Sequence, residues 1–140
     1  MTLQDCIKFT NENPICYLAT VEKDQPRVRA LAFWFADESG FYFQTGAIKL
    51  FYRQLQENPK TEVCFYNNDP RMGMMLRIAG NVEFLDDIKL KEKAMADRPF
   101  LQAFGLSATS PGLILFRIPH GQAHFWTRET NLKPKEYINF

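Results

Sequence analysis

Apolar positions along the chain change period several times, and the changes divide it into short elements. Residues 15–21, ICYLATV, are a compact apolar run of strand length. The polar segment EKDQP supplies a turn, and RVRALAFWF at 27–35 resumes extended structure. Alternation there sets Arg27, Arg29, Leu31, Phe33 and Phe35 on one side, against Val28, Ala30, Ala32 and Trp34 on the other. After the turn ADESG, FYFQ reads as a further strand. From Ile48 the period becomes helical: Ile48, Phe51, Tyr52 and Leu55 form one stripe that ends near Asn58-Pro59. TEVCFY is extended again. Beyond the NNDPRMG loop, MMLRIAGNVEFL predicts a long extended segment, with Gly80 marking a bulge or bend. The last periodic runs, LILFRI and QAHFWT, predict a hairpin around PHG.

Helix starts are marked by short polar side chains. Thr2 with Asp5 three residues later is a capping arrangement for a helix carrying Leu3 and Ile7 one turn apart. Asp86 or Asp87 starts a second helix over DIKLKEKAM, and the 96–112 region is less regular. The count is six or seven strands and two or three helices. Tight turns between neighbouring strands favour antiparallel pairing, so the expected fold is all-β with short helices and a small barrel. Neither a glycine-rich dinucleotide fingerprint nor a Walker loop is present, which argues against a parallel nucleotide-binding sheet. No internal repeat or linker interrupts residues 1–140, and one domain is expected.

Composition narrows the function classes. Thirteen Phe, five Tyr and two Trp suit strands and broad packed interfaces. Seventeen Lys and Arg against sixteen Asp and Glu leave a net charge of +1, too balanced for a nucleic-acid surface, so any anion site must be local. Cys6, Cys16 and Cys64 have neither disulfide nor metal-ligand spacing, and two of them lie in apolar strand runs. A reduced, cytoplasmic setting is the expectation, with no membrane association.

The strongest local chemistry combines Arg27 and Arg29, which share one strand face, with Lys49 at a helix start. A lysine there opposes the helix dipole. Guanidinium, ammonium and exposed helical N–H groups all engage phosphate, Thr45 adds a hydroxyl and Gly46 allows close backbone approach. The alternative is a strand leaving its core with solvated arginines and a solvated lysine. Tyr42, Phe43, Phe51 and Tyr52 suit either a flat apolar ligand or ordinary core packing, and Trp34 and Trp126 divide the same way. His120 and His124 lack metal-spaced partners, and no serine belongs to a nucleophile elbow. Binding residues are thus more evident than catalytic ones, the pattern expected when a cofactor carries the chemistry.

In order and spacing, NPICYLAT, QPRVRALAFWF, FYFQTGAIK, YRQLQENP, EVCFY and MLRIAGNVEF resemble the pyridoxamine 5'-phosphate oxidase-like family of flavin-binding split-barrel proteins. The similarity spans roughly residues 13–84, with a weaker continuation. It implies a six-stranded antiparallel split barrel and a homodimer binding FMN at the subunit interface. By the same resemblance, Arg29 and Lys49 match phosphate-binding positions, Thr45 and Gly46 the cofactor turn, and Gln54 a glutamine near the cofactor. Arg27 is a secondary phosphate or ring candidate, while Trp126 and the NNDPRMG loop are candidates to reach the partner's flavin. Leu50 beside Lys49, and Trp34 in place of a basic residue, depart from true pyridoxamine phosphate oxidases. The resemblance therefore implies an FMN-dependent oxidoreductase acting on an unidentified small substrate. A flavin carrier serving an electron-transfer partner and a haem-binding split barrel are the alternatives.

Overall fold

The computed structural model describes residues 1–71 and 73–140. Its chain order is α1 (Leu3–Glu12), β1 (Ile15–Glu22), β2 (Gln25–Ala32), β3 (Phe35–Asp37), β4 (Gly40–Gly46), α2 (Leu50–Glu57), β5 (Lys60–Asn67), β6 (Met74–Asn81), β7 (Glu83–Leu85), α3 (Ile88–Asp97), α4 (Phe100–Ala103), β8 (Leu113–Ile118), β9 (Gly121–Trp126) and β10 (Ile138–Asn139). A short 3-10 turn, Arg128–Thr130, precedes β10. Two antiparallel sheets result, one ordered β10-β9-β6-β5-β1-β2 and the other β3-β4-β8-β7. Among the described residues, no helix is long and apolar enough to cross a membrane.

The chain passes between the sheets at four places, and these crossings make a split barrel of what looks in sequence like a string of hairpins. β2 ends at Ala32, and Phe35 already pairs in the second sheet opposite Tyr42. The expected single strand over 27–35 is therefore two strands with a corner at Phe33-Trp34. The long 74–85 segment likewise breaks at Val82 into β6 and β7. Gly80 forms no bulge, because the β5–β6 register runs unbroken through Thr61↔Gly80. Its glycine is required by close approach: a Cβ there meets the His120 carbonyl oxygen at 2.5 Å and Ile118 Cγ2 at 2.6 Å. α2 carries the chain from β4 in the four-stranded sheet to β5 in the six-stranded one. The last crossing is the Pro119-His120 link between β8 and β9, so these two strands do not pair as the expected hairpin around PHG.

Aromatic residues fill the space that the sheets enclose. Phe33 packs edge-on against Phe43 and Phe65, at 5.2 and 5.0 Å between ring centroids, and Phe43 stacks on Phe116 at 4.9 Å. Edge-to-face and stacked pairs of this kind add stability beyond the area they bury. Leu18, Val63, Leu76 and Ile78 complete the core from the six-stranded sheet. A second cluster of Ala94, Leu101, Leu113 and Leu115 seats α3 and α4 on the outside of the four-stranded sheet. Trp34 belongs with this cluster, and its Nε1 donates to Asp97 Oδ2 at 2.8 Å. Its role is packing between the sheet corner and α3.

Both expected caps are present. Thr2 and Asp5 form a reciprocal capping box, and Asp87 Oδ1 accepts from Leu90 N at 2.9 Å, contacts worth about 1 kcal/mol each. The helix after β4 starts later than its apolar stripe suggests. Ile48 is 92% exposed and lies outside it, and the buried stripe of α2 is Phe51, Gln54 and Leu55.

Candidate functional site at the β4–α2 turn

Strand β2 is an edge strand, so its outward backbone donors and acceptors have no strand neighbour. Its register opposite β1 places Thr20 against Arg27, Leu18 against Arg29 and Cys16 against Leu31. Cys16, Leu18 and Thr20 are buried, so Arg27, Arg29 and Leu31 face the inside of the barrel or its open end. The outer face carries Val28, Ala30 and Ala32. α2 packs across this end against β1.

Arg29 is the centre of the arrangement. Its Nη1 donates to the Leu18 carbonyl at 3.1 Å and to Thr20 Oγ1 at 2.8 Å. Its Nη2 donates to Gln54 Oε1 at 2.9 Å, and the guanidinium lies 5.3 Å from the centroid of the Phe51 ring in the first turn of α2. All of these partners are neutral. Burial pushes the Arg29 guanidinium below its ordinary value, although an arginine stays protonated. A partly buried cation with no carboxylate in ion-pair distance is an incomplete electrostatic unit.

Lys49 stands at the N-cap of α2, where its extended backbone (φ −71°, ψ 135°) places it just before the first helical turn. That helix end has no side-chain cap and no acidic residue in its first turn. Lys49 is exposed and forms no ion pair among the described residues. The same end therefore combines uncapped N–H donors with an unpaired ammonium group, both suited to an anion. Thr45 closes β4 in a buried position, opposite Ile114. A Cβ at Gly46 meets nothing within the chain closer than the Gly112 carbonyl oxygen at 3.8 Å. Among the described residues, nothing requires glycine there.

A cleft of about 640 Å³ opens at this turn. Leu31 and Ala32 of the β2 edge form one wall, residues Gln44 to Lys49 the floor, and Phe100, Phe104 and Leu106 the far wall. Among the described residues, Lys49 is the one charged residue lining it. No group of three or more His, Cys, Asp or Glu is placed to hold a metal among the described residues. Burial pushes the Cys16 thiol up to about 12 and the Cys6 thiol to about 11, so neither supplies a thiolate at neutral pH.

The structure thus brings Arg29 and Gln54 into direct contact and sets Lys49 at the N-terminus of the helix that carries Gln54. Thr45 and Gly46 join the cleft beside Lys49. Arg27 is committed elsewhere, its Nη2 bonded to Glu22 Oε1 at 3.2 Å. Trp126 does not meet these residues within one chain. It pairs opposite Met75, and its Nε1 donates to Asn131 Oδ1 at 2.8 Å. Four strand spacings, about 19 Å, separate β9 from β2. In the NNDPRMG loop, Met72 lies outside the described residues.

Two residues of the network around Arg29 and Gln54 were not singled out from sequence, Thr20 and Glu22. The signal for them was the two-residue turn Lys23-Asp24. Closing it pairs Glu22 with Gln25 and puts Thr20 on the arginine face.

Comparison with known proteins gives the chain its kin. It superposes on a NimC/NimA family protein from Clostridium acetobutylicum with a TM-score of 0.82 and 26% identity, covering 98% of this chain and 92% of that one. General Stress Protein 26 from Bacillus anthracis aligns with a TM-score of 0.76 and 18% identity over the whole of both chains. An FAD-binding protein from Mesorhizobium loti aligns with a TM-score of 0.72 and 20% identity, over 91% of this chain and 95% of that one. No curated protein matches the chain. The family model described as pyridoxamine 5'-phosphate oxidase matches residues 3–126, nearly the full length. The chain belongs to the pyridoxamine 5'-phosphate oxidase family.

Proposed function

We propose that the protein binds FMN, with the phosphate held between Arg29, Lys49 and the N-terminus of α2, and that the bound flavin serves an oxidoreductase acting on a small substrate. One observation carries the reading. Arg29 is a partly buried guanidinium with only neutral partners, and it packs against the uncapped helix whose N-cap is Lys49. A phosphate supplies the missing negative charge to both cations. The FAD-binding relative from Mesorhizobium loti supports a flavin in this fold.

Bound flavin supplies the hydride chemistry. The chain's contribution is placement. Lys49 and the first-turn N–H groups orient the anionic end, and Gly46 admits it close to the backbone. The free edge of β2 offers N–H and C=O groups to a heterocycle's polar rim, while Leu31, Phe100 and Phe104 exclude water from its faces. Lys49, the one charged residue lining the cleft, is assigned to the phosphate. No side chain there is left as an obligatory acid or base.

The functional unit in this proposal is a homodimer. Support comes from the outer face of the six-stranded sheet, where Ile15, Tyr17, Val28 and Tyr66 are all at least 44% exposed with no helix over them. Contiguous apolar surface of this kind marks an association site. Trp126 lies on that face, so only a second copy brings it to the flavin. Among the described residues of one chain, no histidine lines the cleft to ligate a haem. A visible spectrum of purified protein supplied with FMN tests the reading, with flavin absorbance retained through gel filtration as the expected result. Colourless protein that takes up no FMN overturns it.

A further inference from the structure

Arg29 owes its orientation to Gln54, and Gln54 owes its own to Glu22. The Gln54 side chain is buried, at 5% exposure, and its Oε1 accepts from both Arg29 Nη2 at 2.9 Å and Thr20 Oγ1 at 2.6 Å. Its Nε2 donates to Glu22 Oε2 at 3.0 Å. Only one orientation of the amide satisfies all three contacts. Turned over, it would set its N–H groups against a guanidinium and its oxygen against a carboxylate, donor on donor and acceptor on acceptor. Glu22, which accepts and cannot donate while ionised, forbids that flip at one end of the amide, and the donor-only guanidinium of Arg29 forbids it at the other. Its other oxygen binds Arg27.

We propose that Glu22 is a positioning residue of the anion site, acting through Gln54 to hold the Arg29 guanidinium ready for a phosphate. The inference rests on the flavin reading above. Three hydrogen bonds occupy Arg29, from five N–H groups, and two donors remain for a ligand. A guanidinium fixed before binding loses less freedom on binding. Glu22 also engages Arg27, which leaves Arg29 as the cation at this end with neutral partners alone.

The proposal reverses the sign that simple electrostatics predicts. Glu22 is negative, so deleting its charge near a phosphate site should strengthen anion binding by Coulomb attraction alone. Loss of the relay weakens it instead. Glu22→Gln separates the two effects, since it removes the charge and keeps an oxygen that accepts from Gln54.

The test is calorimetric titration of FMN and riboflavin into the wild-type protein, E22A, E22Q, Q54A and E22A/Q54A. E22A is expected to weaken FMN binding roughly tenfold while leaving riboflavin affinity unchanged. E22Q is expected to keep the wild-type affinity or exceed it, and E22A to have no further effect once Gln54 is already alanine. Equal or tighter FMN binding by E22A overturns the proposal, as does an equal loss of riboflavin. Wild-type protein that binds no flavin defeats the functional reading alone. The relay is then decided without ligand, from nitrogen-15 spectra of the arginine side chains. Slow guanidinium rotation at Arg29 in the wild type that becomes fast in E22A and Q54A supports it, and identical Arg29 signals in all three overturn it.

Discussion

The Nη2 group of Arg29 and the amide oxygen of Gln54 lie 2.9 Å apart, joining the edge strand β2 to the buried face of α2. This contact converts two features that are unremarkable separately, an arginine on a strand and a glutamine in a helix, into one fixed cation at a barrel mouth. Arg29→Ala is expected to reduce FMN affinity by roughly 10- to 100-fold, the range for hydrogen bonds to a charged group. Thermal denaturation of the ligand-free variant should differ little from wild type. A cation without an acidic partner contributes little net stability, because its desolvation offsets its hydrogen bonds. Titration and melting curves on the same preparation check both halves.

Lys49 and Lys60 provide a matched pair for locating the phosphate. Both are exposed, but Lys49 caps α2 beside the cleft, whereas Lys60 opens β5 away from it. Lys49→Glu is expected to weaken FMN binding roughly tenfold or more, since a carboxylate then faces the phosphate without a helix cap between them. Lys60→Glu should change it less than twofold. Equal effects, measured by flavin fluorescence quenching, would place the anion elsewhere.

The outer face of the six-stranded sheet makes a separate claim. Tyr17 and Val28 are 48% and 69% exposed, on adjacent strands of one face. Charges there should split the dimer without unfolding the barrel. Light scattering is expected to report a dimer for wild type and a monomer for Tyr17→Asp with Val28→Lys, while circular dichroism stays unchanged. Flavin retention should fall with the dimer.

Asp97 ties α3 to the corner between the sheets. Hydrogen bonding from Lys93, then from Trp34, holds its carboxyl below the ordinary value near 3.8. Because the folded group titrates below the unfolded one, its contribution is complete above that ordinary value. It disappears as pH falls through the lowered folded value. The site is largely exposed, so the effect is small, about 0.5 kcal/mol or one to two degrees in Tm. Asp97→Asn should melt lower than wild type at pH 7, and the two curves should converge as pH falls through the lowered folded value.

Much of this arrangement was legible from sequence because it depends on local rules. The Thr2–Asp5 and Asp87 caps follow from short polar side chains before a periodic run, and the inward face of Arg27, Arg29 and Leu31 follows from strict alternation. The departures occur where tertiary contacts decide. RVRALAFWF stays extended through Trp34, so its period alone does not register that Ala32 leaves one sheet and Phe35 enters another. Ile48 fits the helical stripe of α2 but faces solvent, while polar Gln54 takes a buried position because Arg29, Thr20 and Glu22 satisfy its amide. Gly80 needs no bulge, only room for the 118–120 backbone. Glu22 is the plainest case. It is a surface acid at a hairpin end until α2 folds across it.

The central claim is that the β4–α2 turn binds a phosphate, and comparing FMN with riboflavin on the same wild-type protein tests it most directly. The two ligands share the ring and ribityl chain and differ only in that group. Calorimetry is expected to find FMN bound at least 100-fold more tightly at low salt, with the advantage shrinking as ionic strength rises. Equal affinities at every salt concentration would contradict the account.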